Sequence, residues 1–137
     1  MKSLAVIVSG GSTNNLIQVL TLLMAAVHAE LKTRVLFRDE AIGRLTPAKI
    51  NALEWSPAYI QEAAHLPSRV KRLDLLDLQK LCRDIKDSGD VRYYACSSSL
   101  ALWGLAKDDL IPEIDEVRGL PTFLLEDVAT ADKVLTF

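Results

Sequence analysis

Residues 91–103 of the chain read VRYYACSSSLALW, a short apolar run that gives way to serines and then to a helical pattern. Runs of β-branched and aromatic residues are typical of strands, and small hydroxyl residues favour helix starts. The stretch therefore predicts a strand over 91–95 and a helix over 97–103, with Cys96 at the junction. In an open α/β sheet this junction is the carboxyl edge, where ligands and catalytic groups collect.

Cys96 is the first candidate for a functional residue. A thiol at a helix start lies near backbone N–H groups that have no helical partner, and these groups stabilise the thiolate over the thiol. Cysteines so placed have pKa values of roughly 3.5–7.5, against about 8.5 for an ordinary thiol. A functional thiol here is expected to be reachable by solvent. The structural alternative is a buried cysteine, since free cysteine is among the most buried residue types.

The rest of the chain alternates between strand-like and helix-like segments. A continuous β-branched-rich run over 4–8 is typical of a strand buried on both faces of a parallel sheet. Strands are predicted over 4–8, 35–37, 91–95, 114–117 and 134–137, and helices over 14–31, 74–88, 97–103 and 121–130. This alternation predicts an α/β fold, a three-layer α/β/α sandwich around a mostly parallel five-stranded sheet.

Residues 41–73 fit this alternation least well. Thr46-Pro47 and Ser56-Pro57 each place a hydroxyl before a proline, which is a pattern of helix starts. Two short helices are predicted, over about 47–54 and 57–65, the second ended by Pro67. Because no linker or repeat is visible, we expect a single domain over 1–137 with a helical excursion at about 41–73. Long connections of this kind often form lids or subunit contacts.

Composition excludes several classes of function. A net charge of −2 over 137 residues gives no reason to expect binding to nucleic acid. The most apolar segment, 16–27, is about half the ~20 residues needed to cross a bilayer, so no membrane association is expected. The two cysteines, at 82 and 96, make neither a disulfide framework nor a metal-ligand pattern. We therefore expect a cytoplasmic protein without a metal or organic cofactor.

Several motifs along the chain resemble those of the DsrE/DsrF-like family, especially its small members sometimes labelled peroxiredoxin-like. The resemblance rests on Ser9-Gly10-Gly11, on Tyr94-Ala95-Cys96-Ser97-x-Ser99 followed by Gly104-Leu105, and on the tail that begins at Gly119-Leu120-Pro121. It covers nearly the whole chain. It implies a parallel sheet of strand order 2-1-3-4-5 and homo-oligomers, often trimers or multiples of them. A mean hydropathy of +0.17 also favours a partner subunit over some apolar surface.

The resemblance further implies that Cys96 carries sulfane sulfur as a persulfide in a sulfur relay. The thiolate would take the outer sulfur of a donor persulfide and pass it to an acceptor thiol. Expected partners are a rhodanese or a small sulfur carrier protein. Substrate-binding residues are expected around the thiol at the same edge of the sheet: Gly11, Ser12, Asn14, Arg38, Ser97, Ser98 and Ser99. Each has a structural alternative, namely a tight turn, a helix cap or a solvated charge cluster.

Two other functions stay open. A non-catalytic oligomeric scaffold or binding module would keep the fold and use the pocket for a small anion or a protein partner. A thiol peroxidase is suggested only by the loose family label, and the sequence lacks a Thr-x-x-Cys setting for a peroxidatic cysteine. Cys82 shares the apolar face of helix 74–88, which favours core packing over a resolving role.

Overall fold

A five-stranded parallel sheet forms the centre of the protein, whose computed structural model describes all 137 residues. The strands are β1 (Ser3–Val8), β2 (Lys32–Phe37), β3 (Val91–Cys96), β4 (Glu116–Arg118) and β5 (Lys133–Thr136). They lie in the order β4-β3-β2-β1-β5, and every neighbouring pair is parallel. The predicted three-layer α/β sandwich is confirmed.

Helices connect the strands. They are α1 (Thr13–His28), α2 (Glu40–Arg44), α3 (Leu66–Arg72), α4 (Leu78–Ser88), α5 (Ser97–Trp103) and α6 (Leu120–Phe123), which continues as a π-helical turn over Leu124–Val128. Two short 3-10 helices lie at Pro57–Glu62 and Lys107–Asp109. None of the helices is long and apolar enough to cross a membrane.

The order of the strands explains on which face each helix lies. From β1 to β4 each new strand is added on the same side, and right-handed crossovers then place α1 and α4 on one face. The connection from β4 to β5 runs back across the sheet, so α6 lies on the other face. The core is divided accordingly, with 25 buried residues in the cluster of α1 and α4 and 5 in the cluster of α6. The α6 face is therefore thinly covered.

The strand order differs from the 2-1-3-4-5 that the resemblance implied. β2, and not β1, pairs with β3, with Phe37 opposite Ala95. Because neighbouring strands lie about 4.8 Å apart, the intervening β2 separates the ends of β1 and β3 by roughly 10 Å. Residues that follow β1 are thus kept away from Cys96 at the end of β3.

Most of the apolar surface of helix α1 is buried within this chain. Its residues Leu16, Leu20 and Leu23 are buried between the sheet and α4. Each such leucine contributes about 1.5–3 kcal/mol when fully buried. Gln18 and Thr21 are exposed, but Leu22 and Ala25 line an open apolar groove with Leu135, so part of α1 is left uncovered.

The excursion over 41–73 is helical in part, with different bounds from those predicted. Residues 47–54 contain no α-helix, and the helical pieces are α2, the 3-10 helix Pro57–Glu62 and α3. Pro67 lies in the first turn of α3 and does not end a helix. Proline fits there because a helix's first N–H groups have no intrahelical partner. A proline can therefore follow the end of one helix or lie in the first turn of the next. The prediction that Pro67 ends a helix is wrong, because Pro67 begins one.

Arg44 ties the excursion to the turn after β1. Its side chain is buried, and its guanidinium donates to the carbonyl oxygens of Gly11 at 2.6 Å and Lys49 at 3.1 Å, and to that of Ala52. The Thr13 N–H also donates to the carbonyl oxygen of Glu54 at 2.7 Å. These bonds hold the excursion over the N-terminal end of α1, where it forms one wall of a cleft.

Candidate functional site

Cys96 ends β3 and immediately precedes the first turn of α5. The predicted strand–Cys–helix junction is therefore confirmed. α5 ends as the sequence indicates, because Gly104 adopts the left-handed conformation at φ 65°. The Leu105 N–H then donates back to the carbonyl oxygen of Leu100 at 3.0 Å.

The start of α5 stabilises the Cys96 thiolate. The Oγ of Ser98 lies 3.3 Å from Sγ of Cys96. Burial raises the pKa of Cys96, but hydrogen bonds from the hydroxyl and backbone groups of Ser98 and Ser99 outweigh it and bring the pKa below its usual value. At Cys82, by contrast, burial raises the pKa to about 12. Only Cys96 therefore has the character of a reactive thiol.

The thiol is nevertheless covered, which contradicts the expectation that solvent reaches it. Cys96 has 0% of its surface exposed and packs with Leu36, Tyr94 and Phe123 in the cluster under α6. Its cover is thin, because the neighbouring Ser97 and Ser98 are both exposed. The sequence placed the residue at the correct edge but gave no sign of the helix that returns over it.

Ser99 links the thiol to the turn after β2. Its Oγ accepts a hydrogen bond from the Asp39 N–H at 2.8 Å, so its own proton is free to point at Cys96. Asp39 has φ 50° and ψ −130°, a backbone conformation that residues other than glycine rarely adopt. The Nε1 of Trp103 donates to the Asp39 carbonyl oxygen at 2.9 Å. Both backbone groups of this turn are thus bonded to α5.

Two arginines flank Cys96 on the neighbouring strands. Arg118 of β4 pairs with it, and Arg38 directly follows Phe37, whose partner Ala95 directly precedes Cys96. Arg118 stacks on the ring of Tyr94 at 4.0 Å and forms ion pairs with three carboxylates, those of Glu116, Glu126 and Asp127. Arg38 forms no ion pair, and its Nε is buried without a hydrogen-bond partner.

Arg118 was not among the predicted site residues. The predicted fourth strand ended at 117, which left Arg118 in a loop, whereas β4 extends to it. Its place opposite Cys96 depends on pairing between distant strands. Only the register of β3 with β4 reveals it.

Gly11, Ser12 and Asn14 do not lie around the thiol. They follow β1, on the far side of β2, and α1 leaves on the opposite face of the sheet from Cys96. Ser12 caps α1 by accepting the Asn15 N–H at 3.1 Å. The side chain of Asn14 is bonded to Ser56 in the excursion. Of the predicted set, the structure brings together Cys96, Arg38, Ser97, Ser98 and Ser99.

Gly11 and Ser12 instead line a separate cleft of about 630 Å³. The turn after β1, α2, residues 49–57 and the end of α5 form its walls, which carry both tryptophans, Trp55 and Trp103. Gly43 allows this packing, since a Cβ there would come within 2.6 Å of the Trp103 ring. The cleft was not predicted, because its two aromatic walls are far apart in the sequence.

The fold and the site define a small α/β protein with an activated thiol at the carboxyl edge of a parallel sheet. Residues 2–137 match the DsrE/DsrF-like family, and the chain belongs to this family. Membership indicates a role related to sulfur relay. No group of three or more His, Cys, Asp or Glu side chains is arranged to hold a metal ion.

The fold also matches a solved structure, described as a protein of unknown function, MTH1491, from Methanobacterium thermoautotrophicum. The TM-score is 0.60 at 13% sequence identity, and the match covers 98% of this chain and 99% of that chain. At this identity the likeness supports the fold alone. Comparison with curated proteins finds no match.

We expect Ser98→Ala to shift the pH dependence of Cys96 alkylation upward. The Ser98 hydroxyl is one of the groups that lower the pKa of Cys96, so its loss leaves less thiolate at neutral pH. The rate of iodoacetamide labelling at Cys96, followed by peptide mass spectrometry across the range in which thiols titrate, measures this shift. Ser97→Ala is the matched control, since Ser97 is exposed and shows no hydrogen bond to the thiol. Identical midpoints in all three proteins would contradict the assignment.

Proposed function

We propose that this protein accepts sulfane sulfur as a persulfide on Cys96 and passes it on in a cytoplasmic sulfur relay. The observation that carries the proposal is a strand-end thiol whose pKa is lowered by Ser98 and Ser99, in a member of the DsrE/DsrF-like family. The thiolate is the nucleophilic form of cysteine, so this setting favours attack on sulfur. A rhodanese or a small sulfur carrier protein is the proposed partner.

The transfer needs no metal or organic cofactor. The Cys96 thiolate attacks the outer sulfur of a donor persulfide, R–S–SH, and a new S–S bond forms at Sγ. The donor's S–S bond breaks, and its electron pair leaves with the thiolate RS⁻. Delivery to an acceptor thiol repeats the exchange in the opposite sense. Ser98 and Ser99 are the groups that would stabilise the persulfide anion between the two steps.

Transfer also requires the cover over the thiol to open, and we propose that residues 120–128 provide this movement. Phe123 of this segment is buried in the small cluster with Cys96, and Leu120 and Val128 pack against that cluster. The segment continues from α6 into a π-helical turn, an irregularity that is frequent at functional sites. Its Leu125 is 75% exposed, which offers an apolar contact to a docking partner.

Incubation with a persulfide donor is expected to add the mass of one sulfur atom to the protein at Cys96. Cys96→Ser should show no gain, because the attacking thiolate is absent. Cys82→Ala is the matched control and should gain sulfur like the wild type, since burial keeps the Cys82 thiol protonated. Intact-protein and peptide mass spectrometry make the measurement. A gain that survives Cys96→Ser, or no gain in the wild type, would overturn the proposal.

The second candidate is a non-catalytic binding module, and the separate cleft is the observation that favours it. The cleft is lined by the turn Gly10-Gly11-Ser12, by Lys49, which is ion-paired with Glu54, and by Glu40, and it does not include Cys96. A small anion or a segment of a partner protein would then occupy it without any sulfur chemistry. A thiol peroxidase gains no such support, since Cys82 is buried on the face of the sheet opposite Cys96.

The binding-module candidate predicts a saturable change in tryptophan fluorescence when inorganic phosphate is added. Trp55 and Trp103 are the chain's only tryptophans and both line the cleft, so their emission reports on it directly. Cys96→Ser should give the same titration as the wild type, because the thiol lies outside the cleft. Emission that does not respond to phosphate would count against the small-anion form of this candidate.

We also propose that the chain forms a homo-oligomer, a trimer or a multiple of one. The excursion exposes large apolar side chains, with Ile60 69% and Leu73 68% exposed. A subunit contact over the excursion would bury this surface. Light scattering at micromolar concentration should give three times the 15.1 kDa chain mass, or a multiple of that trimer mass. The mass of a single chain would contradict the proposal.

A further inference from the structure

Arg38 carries a charge that no other group in the chain neutralises. Its side chain is half-buried, it has no ion pair, and its Nε is the only buried side-chain nitrogen or oxygen without a hydrogen-bond partner. The other arginines at this end of the sheet differ, since Arg44 is bonded to carbonyl oxygens and Arg118 to carboxylates. Buried polar groups without partners are rare in native proteins and call for an explanation.

Arg38 is the first residue after β2, and Cys96 is the last residue of the neighbouring β3. The register pairs Leu36 with Tyr94 and Phe37 with Ala95, and its continuation by one residue beyond the end of β2 aligns Arg38 with Cys96. Side chains alternate along a strand, and both Leu36 and Tyr94 belong to the cluster under α6. The hydrogen bonds of Asp39 to α5 then fix the backbone directly after Arg38.

We propose that Arg38 binds the sulfonyl oxygens of an anionic sulfur donor, thiosulfate or an organic thiosulfonate, whose sulfane sulfur Cys96 attacks. This inference rests on the proposed carrier function of Cys96 and names the class of its donor. The planar guanidinium group donates paired hydrogen bonds to the oxygens of an anion. A persulfide has no such oxygens. Arg118 is already neutralised by three carboxylates, so Arg38 supplies the free positive charge beside the thiol.

The step is balanced without an oxidant or reductant. The Cys96 thiolate attacks the terminal sulfur of thiosulfate, and a new S–S bond forms at Sγ. The sulfur–sulfur bond of thiosulfate breaks, and its electron pair leaves with sulfite, SO₃²⁻. The product is the Cys96–S–S⁻ anion, so the total charge is unchanged. An organic thiosulfonate reacts in the same way and releases a sulfinate, which distinguishes the two sources.

Alkylation with a charged and an uncharged reagent isolates the contribution of Arg38. The Cys96 thiolate attacks both iodoacetate and iodoacetamide. The opening of the cover and the fraction of thiolate affect both rates equally, so the ratio of the iodoacetate rate to the iodoacetamide rate does not depend on them. Arg38→Met keeps the apolar stem and removes the charge, and it should lower this ratio by about tenfold. Arg38→Lys should restore much of it. Arg72→Met, on the exposed side of α3, is the matched control and should leave the ratio unchanged.

Sulfite release from thiosulfate should fall by about tenfold or more in Arg38→Met. Methanethiosulfonate, read out as sulfinate, tests the organic source in parallel. An alkylation ratio and a product release that both match the wild type would overturn the role of Arg38. If the wild type gains sulfur from a persulfide but releases neither sulfite nor sulfinate, the donor class is wrong and the carrier function stands. If Cys96 gains sulfur from no donor, the carrier function itself fails.

Discussion

The geometry of the site depends on the hydrogen bonds of the Ser99 hydroxyl group. This hydroxyl accepts the N–H of Asp39 at 2.8 Å, and Ser99 is also one of the groups whose hydrogen bonds lower the pKa of Cys96. Asp39 is held in a strained backbone conformation, which costs on the order of 1–3 kcal/mol and persists only where surrounding contacts enforce it. Ser99 and Trp103, both on α5, provide those contacts. One short helix therefore sets the ionisation of the thiol and the backbone that follows Arg38.

The order of the strands in the sheet determines how accessible this site is. β2, β3 and β4 are added in turn on one side of β1, which places α1 and α4 on one face, and only the return to β5 brings a helix across the other face. Cys96 faces this second side, where five buried residues form the whole cluster. Elements with few buried contacts open at lower free energy than the main core. The Cys96 thiol is thus shielded from solvent, but by a segment that can open at low free energy.

Features set by short segments of sequence were predictable, and features set by strand pairing were not. The strand–Cys96–helix junction, its glycine stop at Gly104 and the lowered pKa of the thiol all follow from about fifteen consecutive residues. The insertion of β2 between β1 and β3 does not, and it moved Gly11 and Ser12 from the predicted pocket to a separate cleft. The contrast between the paired Arg118 and the unpaired Arg38 likewise requires the register.

The cleft does not include the thiol, yet the two sites are not structurally independent. Trp103 lines the cleft with its ring and holds the Asp39 carbonyl oxygen with its Nε1, and Ser99 on the same helix contacts both Asp39 and the thiol. A substitution at Trp103 therefore changes the cleft wall and the turn beside Arg38 together. Loss of function in such a variant would not tell a sulfur carrier from a binding module. Removal of the sulfur atom of Cys96 leaves the cleft and the Asp39 bonds in place, and for that reason it separates the two.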